Sequence, residues 1–149
     1  MARLLCFDTS SKHCSVVLGD ESGVLAEKAA LEEGFSHAEK LHPYIQSVLE
    51  QSGLQLDQLD AIALGLGPGS YTGLRIGMSA AKGLAYSLKL PLIGISSLEV
   101  LIQPLIGKVN TPLIGAIVDA RRQEVYFAIF DAEGNRIIED QAFVLDQQE

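Results

Sequence analysis

Apolar residues open this chain in short strand-like runs and then change to a helical period near Ala38. Arg3 to Asp8 (RLLCFD) and His13 to Gly19 (HCSVVLG) flank a polar Asp-Thr-Ser-Ser connection and predict a hairpin. Asp20-Glu21-Ser22-Gly23 is turn chemistry, so Val24 to Ala30 adds a third strand and completes an antiparallel meander. Ser36 followed by Glu39 forms a capping box, after which Ala38, Leu41, Ile45, Val48 and Leu49 fall on one helical face until Gly53 ends it. Pro43 should kink this helix or split off its first turn. Asp60 to Leu66 (DAIALGL) is apolar on both faces, the pattern of a central strand covered on both sides. Gly67-Pro68-Gly69 turns the chain into a long second helix over Ser70 to Leu88, and Pro91 to Ile95 is a short strand. Ser96 or Ser97 caps a third helix that Pro104 closes. The order of three antiparallel strands, helix, strand, helix, strand, helix makes this an α/β layer with a mixed sheet.

The run LIGAIVD after Asn110-Thr111-Pro112 repeats the opening. At a constant shift Asp8 falls on Asp119, Asp20 on Asp131 and Gly23 on Gly134, while Cys14, Val16 and Leu18 fall on Val125, Phe127 and Ile129. Each copy reads strand, Asp at a turn, strand, Asp-x-x-Gly turn, strand. The repeat predicts one complete lobe over residues 1–109 and the opening meander of a duplicated second lobe over 110–149. Glu124 to Phe130 is apolar on both faces and expects cover on both, with no second layer evident in the sequence. The expectation is that this meander packs against a neighbouring molecule or that the natural protein is longer.

Composition narrows the function classes. The chain has 149 residues, 48% of them hydrophobic and 20% charged, with a formal charge of −8. That balance is globular and opposes unaided binding of a phosphate backbone by the chain as a whole, so nucleic acid should arrive through a partner. The acidity is uneven. Residues 20–60 carry nine acids and two bases, whereas 61–110 carry Arg75, Lys82, Lys89 and Lys108 against Glu99. The start runs into four apolar residues, too few for a signal-peptide core, and a cytoplasmic location is expected. Cys6 and Cys14 lack metal-ligand spacing and read as small apolar filler.

Chemistry is sparse. Asp8-Thr9-Ser10 at a hairpin tip, mirrored by Asp119, has the donors and carboxylates to hold a nucleotide phosphate or its metal if two such hairpins face each other across a cleft. An ordinary Asx turn accounts for the same residues. Asp119 is followed by Ala120-Arg121-Arg122 rather than glycines, so close approach to a phosphate is not prepared there. Gly67 to Gly77 (GPGSYTGLRIG) lacks both the lysine ending of a P-loop and dinucleotide-binding glycine spacing. Gly73, Gly77 and Ala81 form a small-residue stripe that permits close helix packing, within the chain or with a partner. His13, His37 and His42 have no spacing suited to a shared metal, and no nucleophile elbow occurs.

The Asp-Thr-Ser hairpin, the Ser-His…His-Pro helix, GPGSYTGLRIG, Ser-Ser-Leu-Glu and the Asp-Ala-Arg turn occur in an order that resembles the TsaB family, over essentially all 149 residues. The resemblance implies the actin-like, Hsp70-like ATPase fold of two duplicated ribonuclease H-like lobes. It also implies a bacterial subunit of the machinery that makes threonylcarbamoyladenosine next to the tRNA anticodon. The catalytic paralogue TsaD carries an H-x-x-x-H metal pair where this chain has Ser97 and Leu101, neither of which replaces imidazole at a metal. The implied role is therefore a non-catalytic scaffold that pairs with TsaD, with TsaE completing the assembly, tRNA reached through the complex, and a homodimer when no partner is present. No cofactor is implied for this subunit, and ATP is implied only at the level of the complex. Pairing is implied through the first two helices, with His37, Leu41, Tyr71, Gly73, Leu74, Gly77, Met78 and Ala81 as interface candidates. The alternative is an actin-like nucleotide-binding phosphotransferase or ATPase using Asp8, Thr9 and Ser10. A third reading, a metallopeptidase, lacks its histidine pair.

Overall fold

The computed structural model describes residues 1–31 and 37–145. Strands β1 (Leu4–Asp8), β2 (His13–Asp20) and β3 (Gly23–Leu31) form the meander, followed by helix α1 (His37–Ser52). Strand β4 (Ala61–Gly65), helix α2 (Tyr71–Leu88) and strand β5 (Leu92–Ile95) come next, then helix α3 (Ser97–Ile102) and strands β6 (Leu113–Arg121), β7 (Glu124–Asp131) and β8 (Arg136–Val144). The capping-box serine, Ser36, lies outside the described residues. The helix it was expected to open runs unbroken through Pro43, so neither a split nor a separate first turn is present. Ser70 and Ser96 are the N-caps of α2 and α3, their hydroxyls accepting from the N–H groups of Gly73 (3.2 Å) and Leu98 (3.1 Å).

The chain divides into two compact units, residues 1–66 with 70–95, and residues 67–69 with 96–149. In the first, the sheet order is β3-β2-β1-β4-β5, with β1–β2 and β2–β3 antiparallel and β1–β4 and β4–β5 parallel. The right-handed crossover rule for parallel strands places α2, which links β4 to β5, on the sheet, where it packs against β4. Helix α1 covers β2 and β3. Leu5, Phe7, Cys14, Val16 and Leu18 meet Leu41, Ile45 and Val48 of α1 and Ala81 and Ala85 of α2 in one core. Burial pushes the Cys6 thiol up, in keeping with a filler role.

The second unit is the antiparallel sheet β6-β7-β8 with α3 on one face. Leu98 and Ile102 pack on Ile114, Ala116, Ala128 and Phe130. Two expectations change here. The third helix was assigned to the first lobe, but its two apolar side chains complete the second core, so the compact units part between Ile95 and Ser96. The second meander is also not without a layer of its own, because α3 supplies one. The residues it buries are Ala128 and Phe130, whereas Val125, Phe127 and Ile129, the matches of buried Cys14, Val16 and Leu18, are half-buried. The helix in the second unit therefore covers the opposite face from that covered by α1 in the first.

The repeat extends to hydrogen bonding. Asp8 Oδ1 accepts from Ser10 N–H (2.6 Å) and Asp119 Oδ1 from Arg121 N–H (2.7 Å), the same Asx turn twice. Asp20 accepts from the Ser22 N–H (2.7 Å), and Asp131 from the N–H groups of Glu133 (3.0 Å) and Asn135 (2.7 Å). Gly23 and Gly134 follow these aspartates with φ of 122° and 86°, values that explain glycine at both places. The Ser22 hydroxyl holds the Asp20 carboxyl below the usual carboxylate range, and the Asn135 side-chain amide does the same for Asp131. A lowered folded-state value means the stabilisation is intact above the unfolded value near 3.9 and is lost as pH falls through the folded one. In urea titrations, Asp20→Asn/Asp131→Asn should therefore lose less stability than the parent chain as pH falls from about 5 through the folded-state values. Equal losses would show that the two turns do not contribute.

Candidate partner surface and hairpin site

Helix α2 carries small residues on two faces, and the structure assigns them different work. Gly73, Gly77, Ala81 and Ala85 are buried and face the first unit's own sheet and hairpin. A Cβ on Gly73 would overlap the Thr9 carbonyl oxygen, and one on Gly77 would overlap the Thr9 hydroxyl. This corrects the placement of Gly73, Gly77 and Ala81 on a partner surface: the glycines exist so that the β1–β2 turn can lie directly on α2. His37 and Leu41 are likewise buried in the first unit, and among the described residues neither ring nitrogen of His37 has a hydrogen-bond partner. Of the remaining candidates, Leu74 and Met78 are half-buried and Tyr71 is 74% exposed.

The outward stripe of α2 lies one position away. Thr72, Arg75, Ile76, Ser79, Ala80, Gly83 and Leu84 line a groove of about 730 Å³, with Ala38 and His42 of α1 forming the other wall. A Cβ added at Gly83 would meet nothing within 4 Å. Tyr86 is 89% exposed, and the Arg75 guanidinium lies 5.4 Å from the centre of the Tyr71 ring. Exposed tyrosine and arginine beside an open apolar groove are what interface centres are built from. The signal for these residues was the second small-residue series, Thr72, Ser79, Ala80 and Gly83, interleaved with the buried one.

The Asp8-Thr9-Ser10 tip uses two of its donors and one of its carbonyls within the chain. Thr9 Oγ1 donates to the Gly73 carbonyl (2.7 Å), Ser10 N–H donates to Asp8, and Ser70 N–H donates to the Ser10 carbonyl (2.6 Å). Thr9 and Ser10 are both buried, and the Asp8 carboxylate occupies the space a Cβ on Gly65 would need. A phosphate held by the Thr9 hydroxyl or the Ser10 N–H would have to displace these bonds. Asp119, exposed, belongs to the second unit. Among the described residues, no three His, Cys, Asp or Glu side chains converge on a point that would hold a metal. Among those residues, too, no helix is long and apolar enough to cross a membrane.

Residues 13–147 match the family model described as TsaD, tRNA N6-adenosine threonylcarbamoyltransferase. The chain is 38% identical to the tRNA threonylcarbamoyladenosine biosynthesis protein TsaB of Escherichia coli over 135 residues, 91% of this chain and 58% of that protein. YeaZ from Pseudomonas aeruginosa superposes with a TM-score of 0.84 at 34% identity, over 97% of this chain and 68% of that one. The chain belongs to the TsaB family. The TsaB protein of Bacillus subtilis is 34% identical over 145 residues, 95% of this chain and 62% of that protein, so the chain spans about three fifths of the length of such relatives. The ethanolamine utilization protein EutJ of Carboxydothermus hydrogenoformans, at 13% identity and a TM-score of 0.58, shares the fold alone. The TsaB-family lobe is thus an α/β actin-like lobe, whose five-stranded mixed sheet positions α1 and α2 side by side.

Proposed function

We propose that this chain serves tRNA threonylcarbamoyladenosine synthesis as a non-catalytic subunit that pairs with TsaD through the α1–α2 groove. The observation that carries this reading is the groove itself, open, apolar and floored by Thr72, Ser79, Ala80 and Gly83, small enough for a second helix to approach closely. The hairpin supports the non-catalytic part, since its Thr9 hydroxyl and Ser10 N–H are bonded within the chain. Helix α3 adds to it, presenting Ser97 and Leu101 where an imidazole pair would be needed. In this reading TsaE joins the TsaD pair, tRNA is met in the complex, the subunit itself needs no cofactor, and the work is done in the cytoplasm. Without TsaD, the same groove pairs two copies in a symmetric dimer.

Light scattering after size exclusion tests this directly, on the chain alone and mixed with TsaD. Gly83→Arg fills the groove from a position with open space around it, so the fold stays intact while both the dimer and the mixed complex weaken by at least about a hundredfold. A Gly83→Arg chain that keeps its circular dichroism and still pairs at the parent affinity would remove the groove from the interface.

A further inference from the structure

The turn between β6 and β7 is built against the preference of its residues. A two-residue hairpin of type I′ needs positive φ at both central positions, which is why Asn-Gly dominates there. Here Arg122 and Gln123 take φ of 53° and 63°, and Arg121 before them takes 67°, three consecutive side chains in the left-handed region. The backbone is held there from several sides. Asp119 accepts the Arg121 N–H, the β6–β7 register shifts between Asp119 and Arg121, and Leu145 N–H donates to the Gln123 carbonyl (2.7 Å). The side chains do nothing for the fold in return. Arg121 and Arg122 are exposed, and among the described residues neither pairs with a carboxylate. Backbone strain fixed by its surroundings, under side chains with no internal duty, is the signature of a functional segment.

We propose that this turn is a phosphate-binding tip, in which the guanidiniums of Arg121 and Arg122 engage the phosphodiester backbone of an RNA strand. A guanidinium fork matches phosphate oxygens in pairs, and two exposed arginines offer two such forks. An exposed hairpin tip does not surround a small anion as a pocket does, which favours a strand over a free phosphate. Asp119 and Glu124 balance the two charges locally, and the chain is at −8, so the contact is short-ranged and salt-sensitive rather than a long-range field. The choice of RNA among phosphate carriers rests on the function proposed above. The geometry of the tip does not.

Fluorescence anisotropy of a labelled RNA stem-loop, titrated with the full chain alone over a salt series, reads the tip apart from pairing. Arg121→Gln/Arg122→Gln should weaken binding at low salt by about tenfold or more and flatten the slope of log affinity against log salt by about 1.5, the value for two lost phosphate contacts. Arg122→Asn/Gln123→Gly should melt a few degrees higher, because the turn is relaxed, and bind RNA more weakly, because one guanidinium is gone. Absence of RNA binding by the parent chain, or equal affinity and slope in the double glutamine variant, overturns the proposal, as does a relaxed turn that melts no higher. Binding of inorganic triphosphate at the arginines without RNA binding overturns the assignment to RNA. A chain that pairs with TsaD but ignores RNA refutes the tip alone, whereas arginine-dependent RNA binding without pairing refutes only the groove.

Discussion

Gly73→Ala should destabilise the first unit by about 3 kcal/mol or more, a large part of the margin that holds a domain of this size folded. The new methyl group would overlap the Thr9 carbonyl, a backbone atom with no rotamer to escape into. Separating the two segments also breaks the bond from Thr9 Oγ1 to the Gly73 carbonyl, worth about 1 kcal/mol. Gly77→Leu should fail for the same reason, since its side chain would enter the space of the Thr9 hydroxyl. The control is Gly83→Ala on the outward stripe, where removing backbone freedom at an open helical position should add about 0.5–1 kcal/mol. Urea midpoints of the three variants check the ordering. A Gly73→Ala midpoint equal to the parent's would mean that the turn gives way at no cost.

Phe130→Ala should dissolve the second unit while sparing the first. Phe130 is 1% exposed and is the largest side chain in a core of Leu98, Ile102, Ile114, Ala116, Ala128 and itself. The Arg136 guanidinium lies 5.1 Å from the centre of its ring, and Arg136 in turn bonds Glu99 of α3 at 3.0 Å and Asp140 of its own strand. Truncation costs about 3–5 kcal/mol for the cavity, on the scale of everything a unit this small has to spare. Hydrogen exchange resolved by peptide should show α3 and β6–β8 exchanging fast while β1, β2 and β4 stay protected. Protection retained throughout would mean that the small core repacks around the void.

The strands and helices were legible because their periods are clean: both faces of Ala61–Gly65 are apolar, and Leu41, Ile45, Val48 and Leu49 recur at helical spacing. The repeated turns were legible for a more specific reason, since Asp8, Asp20 and Gly23 each do the same job as their matches. What the sequence hid was direction. Helix α2 carries small residues on two adjacent faces, so Gly73-Gly77-Ala81 and Thr72-Ser79-Gly83 look alike until Thr9, more than sixty residues away in the chain, is seen to occupy the first series. The allegiance of α3 was hidden in the same way, because Leu98 and Ile102 find their partners beyond a loop, in strands not yet reached. The strained turn was hidden by identity, as Arg-Arg-Gln carries none of the glycine or asparagine that announces left-handed backbone.

Helix α3 stands in the chain ahead of the sheet it belongs to, and that order matters while the protein is being made. The first unit has all its strands and helices once Ile95 has emerged. Ser97–Ile102 is a helix of six residues, well short of the roughly 12 to 15 at which an isolated helix holds in water. It has nothing to fold onto until β6 and β7 follow, and at about 5–20 residues per second that is a wait of a few seconds. During that interval Leu98 and Ile102 have no strand to pack against, so the core of the second unit can close only after β6 and β7 have been made.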